Sequence, residues 1–153
     1  MNIPDILPLQ HVACDVEAHS KKRVLERLSE LIAAGQDRLS ASEVFDILLA
    51  RERLGGTGIG HGVAIPHGRL KGGGPTLGAF VKLNSGIDFD APDREPVDLL
   101  FALLVPEAAT ADHLRTLAQL AAMFSDAAMR DKLRAAAGAA DLHRLITEWL
   151  AAH

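Results

Sequence analysis

A single three-layer α/β domain, with helices on both faces of a β-sheet, is what this sequence points to. Residues 97–105 are almost continuously apolar and stop at Pro106. An apolar run so short and unbroken reads as a central strand covered on both faces. Segments with apolar residues at helical spacing lie before and after it, and these supply the covering layers. The chain has 153 residues, 48% of them apolar and 24% charged, which is the size and balance of one globular domain.

Composition also excludes some partners. The net charge is −4 with acids and bases interspersed, so nucleic acid is not expected to bind. Cys14 is the only cysteine, which rules out an internal disulfide and suits a reducing compartment. The N-terminal residues lack a basic n-region and a long apolar stretch, and no run reaches the ~18 apolar residues of a membrane helix. The expectation is a cytoplasmic protein without signal peptide or membrane insertion.

Taken in order, residues 1–19, with Pro4 and Pro8, read as a partly extended leader that leaves His11 and His19 on the surface. Residues 20–34 read as a helix. Val24, Leu25, Leu28, Leu31 and Ile32 share one face, Ser20 caps it and Gly35 stops it. Lys21, Lys22 and Arg23 are expected to be solvated there, at the end where the helix dipole disfavours cations. A second helix spans 41–54, opened by a capping box of Ser40 and Glu43, with Val44, Ile47 and Leu48 as its stripe. Arg51 falls on that stripe, at i+7 from Val44. A guanidinium there costs free energy unless an anion meets it. Either it snorkels or pairs with Glu43, Asp46 or Glu52, or it reaches a transient anion beside His67.

Gly56, Gly58, Gly60 and Gly62 then alternate through a segment too permissive for a helix or a well-packed strand. Val63, Ala64 and Ile65 make one short buried strand, stopped by Pro66, with His67 at its end and Gly68 behind. Such an arrangement holds an imidazole on rigid scaffold with open space around it. The bland alternative is a hydrogen-bonded turn histidine. This is no nucleotide loop: it lacks the Gly-Lys-Ser/Thr ending and the GxGxxG spacing, and a helix rather than a strand precedes it.

Residues 71–75 read as a turn. Leu77, Ala79, Val81 and Leu83 alternate with Gly78, Phe80 and Lys82 as a half-buried strand, followed by a turn at 84–86. Residues 89–96 are a polar loop whose acids are not spaced as a metal cage. Beyond the 97–105 strand, Thr110 is expected to cap a third helix with Leu114, Leu117, Ala118, Ala121 and Phe124 inward. His113 sits in its first turn, where a histidine is discouraged from protonating and free amides favour an anion. The alternative there is a neutral imidazole packed at a helix start. Asp126 is expected to cap a short helix to Ala136. Asp141 caps the last, with Leu142, Leu145, Ile146 and Trp149 inward and His143 and His153 facing solvent.

Several of these residues carry a resemblance. They are Arg51-Glu52, the run Thr57-Gly58-Ile59-Gly60-x-Gly62-Val63-Ala64-Ile65-Pro66-His67, then Pro96-Val97-Asp98-Leu99-Leu100-Phe101, and Val105-Pro106 with His113-Leu114 downstream. Together they resemble the type-2 enzyme IIA domain of the bacterial phosphoenolpyruvate phosphotransferase system, over residues 5–150. The order of features is most similar to the stand-alone, nitrogen-related members; His61 stands where that family commonly has asparagine. The resemblance implies a mixed sheet, no cofactor and no metal. It implies that His67 accepts a phosphoryl group through Nε2, that Arg51 and His113 line the same site, and that a histidine phosphocarrier protein, charged by enzyme I, is the donor.

The chemistry agrees with that implication. A neutral imidazole is a competent nucleophile, and histidine-to-histidine transfer needs mainly positioning and charge. Arg51 supplies fixed positive charge, His113 a hydrogen bond, and the backbone of Thr57, Gly58, Gly60 and Gly62 is the candidate phosphoryl cradle. A shallow, mostly apolar rim is expected around His67 for a protein donor. The added phosphoryl brings about 1.5–2 negative charges and is expected to switch docking onto regulatory targets, sensor kinases or potassium transporters. Two alternatives stand beside this. One is a sugar-specific, fructose- or mannitol-type enzyme IIA that passes its phosphoryl group to a IIB domain. The other is a metal held by His61, His67 and His113, which needs converging ligands with supporting acids.

Overall fold

The structure, a computed structural model, describes residues 3–108 and 110–153. A short helix α1 (Ile3–Ile6) and a 3-10 turn (Leu9–His11) lead into strand β1 (Val12–Val16). Helix α2 (Lys21–Ala33) starts where the Ser20 hydroxyl accepts from the Arg23 amide. It stops before Gly35, whose φ of 77° is cheap only for glycine. Helix α3 (Ala41–Leu54) opens on the Ser40–Glu43 capping box. Strands β2 (Gly58–Gly60), β3 (Val63–Ala64), β4 (His67–Leu70), β5 (Leu77–Ile87) and β6 (Val97–Pro106) follow. The chain closes with helices α4 (Thr110–Ser125), α5 (Ala127–Ala135), capped by Asp126, and α6 (Ala139–Ala152). The capping role expected of the Thr110 side chain lies outside the described residues. Among those described, no helix is long and apolar enough to cross a membrane.

The sheet is mixed and open, in the order β1-β5-β6-β3-β2. Its centre is β6, antiparallel to β5 (Phe80↔Phe101) and, on its other edge, parallel first to β3 (Val63↔Leu99) and then to β4 (His67↔Leu103). Both faces of β6 are covered, and from Leu99 to Val105 no residue is more than 1% exposed. One face packs on α2 and α3 through Val24, Leu28, Ile32, Val44 and Leu48. The other packs on α4, α5 and α6 through Leu120, Phe124, Leu133, Leu142 and Ile146. Each such burial contributes about 1.5–3 kcal/mol, and the stack of Phe80 on Phe124, centroids 6.1 Å apart, locks α4 onto the sheet.

Some elements depart from expectation for identifiable reasons. The leader is not a surface segment, because β1 pairs in parallel with β5 (Val12↔Phe80) and forms one edge of the sheet. His11 is fully buried, its Nδ1 donating to the Gly78 carbonyl at 2.9 Å. Strand β5 is buried on both faces, since α4 covers its Phe80 side, and it runs on through 84–86 with a register shift before Ile87. Within it the Lys82 ammonium donates to the carbonyls of Arg134 and Ala136 at 3.0 and 2.7 Å, closing the C-terminal end of α5. Helix α4 is rotated from the expected phase: His113, Thr116, Leu120, Met123 and Phe124 are buried, while Leu114 and Ala118 are exposed. Helix α6 starts at Ala139, ahead of Asp141. His143 does not face solvent, for its Nε2 donates to the Leu7 carbonyl at 2.8 Å. Lys21 is not a solvated cation either. It pairs with Glu52 at 2.9 Å and lies 4.6 Å over the Phe89 ring.

Candidate functional site

Of the four alternating glycines, Gly58 and Gly60 do form strand, while Gly56 precedes it and Gly62 lies in the turn. Strands β2 and β3 make a tight antiparallel hairpin turned at His61 and Gly62, both at positive φ, 58° and 78°. The His61 amide is fixed on Asp93 Oδ2 at 2.9 Å. Pro66 then interrupts the ladder without leaving the sheet. The Leu103 amide of β6 donates to the Pro66 carbonyl at 2.9 Å, and pairing resumes at His67, which is the first residue of β4 rather than the last of β3. The Ile65 carbonyl is turned instead to the imidazole and accepts from His67 Nδ1 at 2.8 Å. A carbonyl can only accept, so Nδ1 carries the proton and Nε2 keeps its lone pair.

His113, from the first turn of α4, places its ring centroid 5.5 Å from that of His67, with the planes tilted by 50°. It is 6% exposed, and among the described residues its buried Nδ1 has no hydrogen-bond partner. With no acceptor among the described residues facing Nδ1, the proton of the neutral ring is assigned to Nε2. Arg51 comes from the last turn of α3 and gives Nη1 to the Gly55 carbonyl at 2.7 Å. Among the described residues it forms no ion pair with Glu43, Asp46, Glu52 or any other acid. Arg51, His67 and His113 line one cavity of about 590 Å³, together with Arg69 and the apolar Ile47, Ala50 and Leu54. A smaller cavity of about 250 Å³ also borders Arg51 and His67 and is lined by Thr57, Gly58 and Ile59. Leu54, 85% exposed, and Ile59, 43% exposed, give these openings an apolar rim.

Burial pushes the His67 imidazole below its ordinary 6.5, and the Arg51 charge adds to this against the opposing Ile65 carbonyl and Glu52. His113 is lowered too, by burial first and then by His67 and Arg69. Both rings are therefore neutral near pH 7.

Two residues support the site in roles that the sequence reading does not assign. Glu52 is buried on the same ridge of α3 as Val44 and Leu48, and the spacing of four among them is the signal that could have found it. Its carboxylate accepts from the Thr57 hydroxyl and amide and from Lys21 Nζ, which ties the end of α3 to the start of the hairpin. The second support is Gly68. A Cβ there would fall inside 3.0 Å of Ile47 Cγ2. Glycine thus lets α3 sit close on β4 and brings Arg51, one turn beyond Ile47, to the cavity of His67.

The expected phosphoryl cradle is only partly assembled. Gly58 borders the smaller cavity, whereas the Thr57 donors are committed to Glu52. Gly60 and Gly62 face elsewhere: a Cβ on the first would meet Asp93 Oδ2 at 3.4 Å and on the second Asp98 Oδ1 at 3.0 Å. His61 lies on that other side, where Arg134 is held by Asp98 at 2.9 Å and donates to the His61 carbonyl at 2.6 Å. It does not converge with His67 and His113. Among the described residues no group of three or more His, Cys, Asp or Glu side chains is placed to hold a metal.

Comparison with known proteins adds to this geometry. The family described as phosphoenolpyruvate-dependent sugar phosphotransferase system, EIIA 2, matches residues 5–149. The nitrogen regulatory protein of Pseudomonas aeruginosa is 48% identical over 134 residues, 88% of this chain and 87% of that protein. Its namesake from Klebsiella oxytoca is 46% identical over 149 residues, 97% of this chain and 91% of that one. The crystal structure of nitrogen regulatory protein IIA-Ntr from Neisseria meningitidis matches with a TM-score of 0.89 at 45% identity, covering 95% of this chain and 99% of that chain. At 18% identity and a TM-score of 0.73, the IIA mannitol crystal structure from Escherichia coli shares the fold, over 90% of this chain and 96% of its own.

Proposed function

The chain belongs to the phosphoenolpyruvate-dependent sugar phosphotransferase system EIIA 2 family, and on that basis we propose that it is a phosphocarrier and regulator of the nitrogen-related kind. It takes a phosphoryl group onto Nε2 of His67 from a histidine phosphocarrier protein, with residues 5–150 acting as one unit. The observation that carries this reading is the hydrogen bond from His67 Nδ1 to the Ile65 carbonyl. It holds the ring in the tautomer whose free lone pair is on Nε2, the form that attacks phosphorus.

As the donor nitrogen–phosphorus bond breaks, the Nε2–phosphorus bond forms, and no proton need leave Nδ1. Transfer between two histidine nitrogens is nearly balanced, so positioning and charge are the protein's contribution. Arg51 sets a fixed positive charge against the phosphoryl oxygens. His113, neutral and protonated on Nε2, donates to one of them. Of the four residues expected to cradle the phosphoryl group we retain Gly58. The apolar rim of Leu54 and Ile59, with Leu114 beside His113, suits a protein donor, which must exclude water over the site.

The regulatory output is a change of docking. A phosphoryl group adds about 1.5–2 negative charges inside that apolar rim. Targets of the sensor-kinase or potassium-transporter type would therefore distinguish the charged from the uncharged protein. The work is done in the cytoplasm, without metal or cofactor. Incubation with phosphoenolpyruvate, enzyme I and the carrier should label the wild-type protein, and His67→Ala should abolish the label. A His67→Ala protein that still labels would refute the assignment. Label passing on to a IIB cysteine would favour the sugar-specific alternative.

A further inference from the structure

The larger cavity beside His67 is lined by two guanidinium groups, Arg51 and Arg69, and by no carboxylate. Arg69 lies two positions past His67 on β4. In a strand, residues so spaced project to the same side. Arg69 is exposed, and among the described residues its guanidinium has neither a hydrogen-bond partner nor an ion pair. Arg23, Arg27, Arg115, Arg134 and Arg144, by contrast, each face an acid. The charges at the site leave room for this cation. A phosphoryl group on nitrogen carries nearly two negative charges. Arg51 supplies one positive charge, with part of its fork already given to the Gly55 carbonyl. His113 is neutral. About one negative charge stays uncompensated, and Arg69 is the other cation on the cavity wall.

We propose that Arg69 is a second phosphoryl contact, closing on the phosphoryl oxygens from the β4 side while Arg51 holds them from α3. This role rests on His67 being the phosphoryl acceptor. During transfer the electron pair of the donor nitrogen–phosphorus bond returns to the donor imidazole, and the Nε2 lone pair of His67 makes the new bond. Arg69 exchanges no proton. It meets the negative charge that spreads over the equatorial oxygens in the transition state.

The test uses two donors, the phosphorylated carrier protein and phosphoramidate, a small donor that needs no docking surface. Arg69→Ala should slow single-turnover labelling of His67 roughly tenfold with both, the loss of one charge-assisted contact at a partly solvated site. Arg69→Lys, which keeps the charge and loses the fork, should recover part of the rate. A 31P titration of phosphorylated His67 supplies a readout that a structural role would not move. Without the Arg69 charge, the second ionisation of the phosphoryl group should shift to higher pH, while the melting temperature stays at the wild-type value. Slowing confined to the protein donor would assign Arg69 to docking and overturn the proposal, as would an unmoved 31P midpoint. A wild-type protein labelled at His67 by neither donor would instead remove the acceptor reading, and this role with it.

Discussion

Gly68→Ala adds one methyl group where α3 meets β4. The new carbon would fall inside 3.0 Å of Ile47 Cγ2 and 3.4 Å from the Ile47 carbonyl oxygen. Non-bonded carbons settle at about 3.5–4.0 Å, so the helix must lift by roughly 1–1.5 Å. Ile47 cannot swing away cheaply, because its β-branched side chain has one favoured rotamer in a helix. Gly68 is not among the residues at positive φ, so the effect is purely steric. Overpacking of this kind costs about 1–3 kcal/mol. The lift also carries Arg51 away from His67, and a misplacement on the order of 1 Å can cost up to ~10²-fold in rate. The measurement is a double-mutant cycle of Gly68→Ala and Ile47→Ala, read by urea unfolding and by single-turnover labelling of His67. Ile47→Ala deletes the clashing methyl. The cycle should therefore return a coupling of about 1–3 kcal/mol, and the double variant should regain labelling lost in Gly68→Ala. Wild-type stability and labelling in Gly68→Ala alone would show that this contact does not set the seat of α3.

Three further outcomes follow from the packing. Glu52→Gln should destabilise the fold by about 2–3 kcal/mol in urea unfolding, because it strips the carboxylate from Lys21, whose side chain is only 24% exposed; a change under ~1 kcal/mol would contradict the buried pair. Lys82→Met keeps the apolar stem but leaves the Arg134 and Ala136 carbonyls without their donor, and should cost about 1.5–3 kcal/mol by the same assay. The lowered His67 and His113 values set the acid side of stability. Between the ordinary value of 6.5 and the lower folded values the unfolded chain binds more protons. The contribution of these rings is thus complete above 6.5 and is lost as pH falls through the folded values. NMR titration of the two ring C–H signals should give midpoints below 6.5, and a midpoint above it would reverse the sign.

Much of this was legible from periodicity. The β6 run, the α2 face, the capping box of α3 and the Asp126 cap of α5 are local patterns, and local patterns are what a sequence displays. The pairing of Arg51 with the His67 cavity was also foreseeable, since a cation on an apolar stripe requires a reason. What escaped depends on distant partners. Strand β1 is broken by Asp15 at φ 53° and by a register shift between Ala13 and Val16, which hides its alternation. In α4 the alanines made two phases of the helix equally plausible, and only the sheet chooses the one that turns Leu114 outward. The glycines looked like a loop because a hairpin of small residues has no side-chain pattern to read. Its real constraints come from Glu52, Ala91, Asp93 and Asp98 across the chain. Lys21 and Arg69 show the same limit from opposite sides. Both are basic residues, yet one is held by a buried acid and the other faces an open cavity.

The sheet's centre also has a consequence for refolding. Strands β5 and β6 are consecutive and antiparallel, joined by residues 88–96, so their pairing closes the shortest loop in the sheet's core. The parallel pairing of β1 must bring Val12 to Phe80 across both α2 and α3. Loop-closure entropy therefore favours a nucleus at β5–β6, with β1 docking late. In chevron plots, truncating Phe101 should mainly depress the refolding limb, whereas truncating Val12 should mainly raise the unfolding limb.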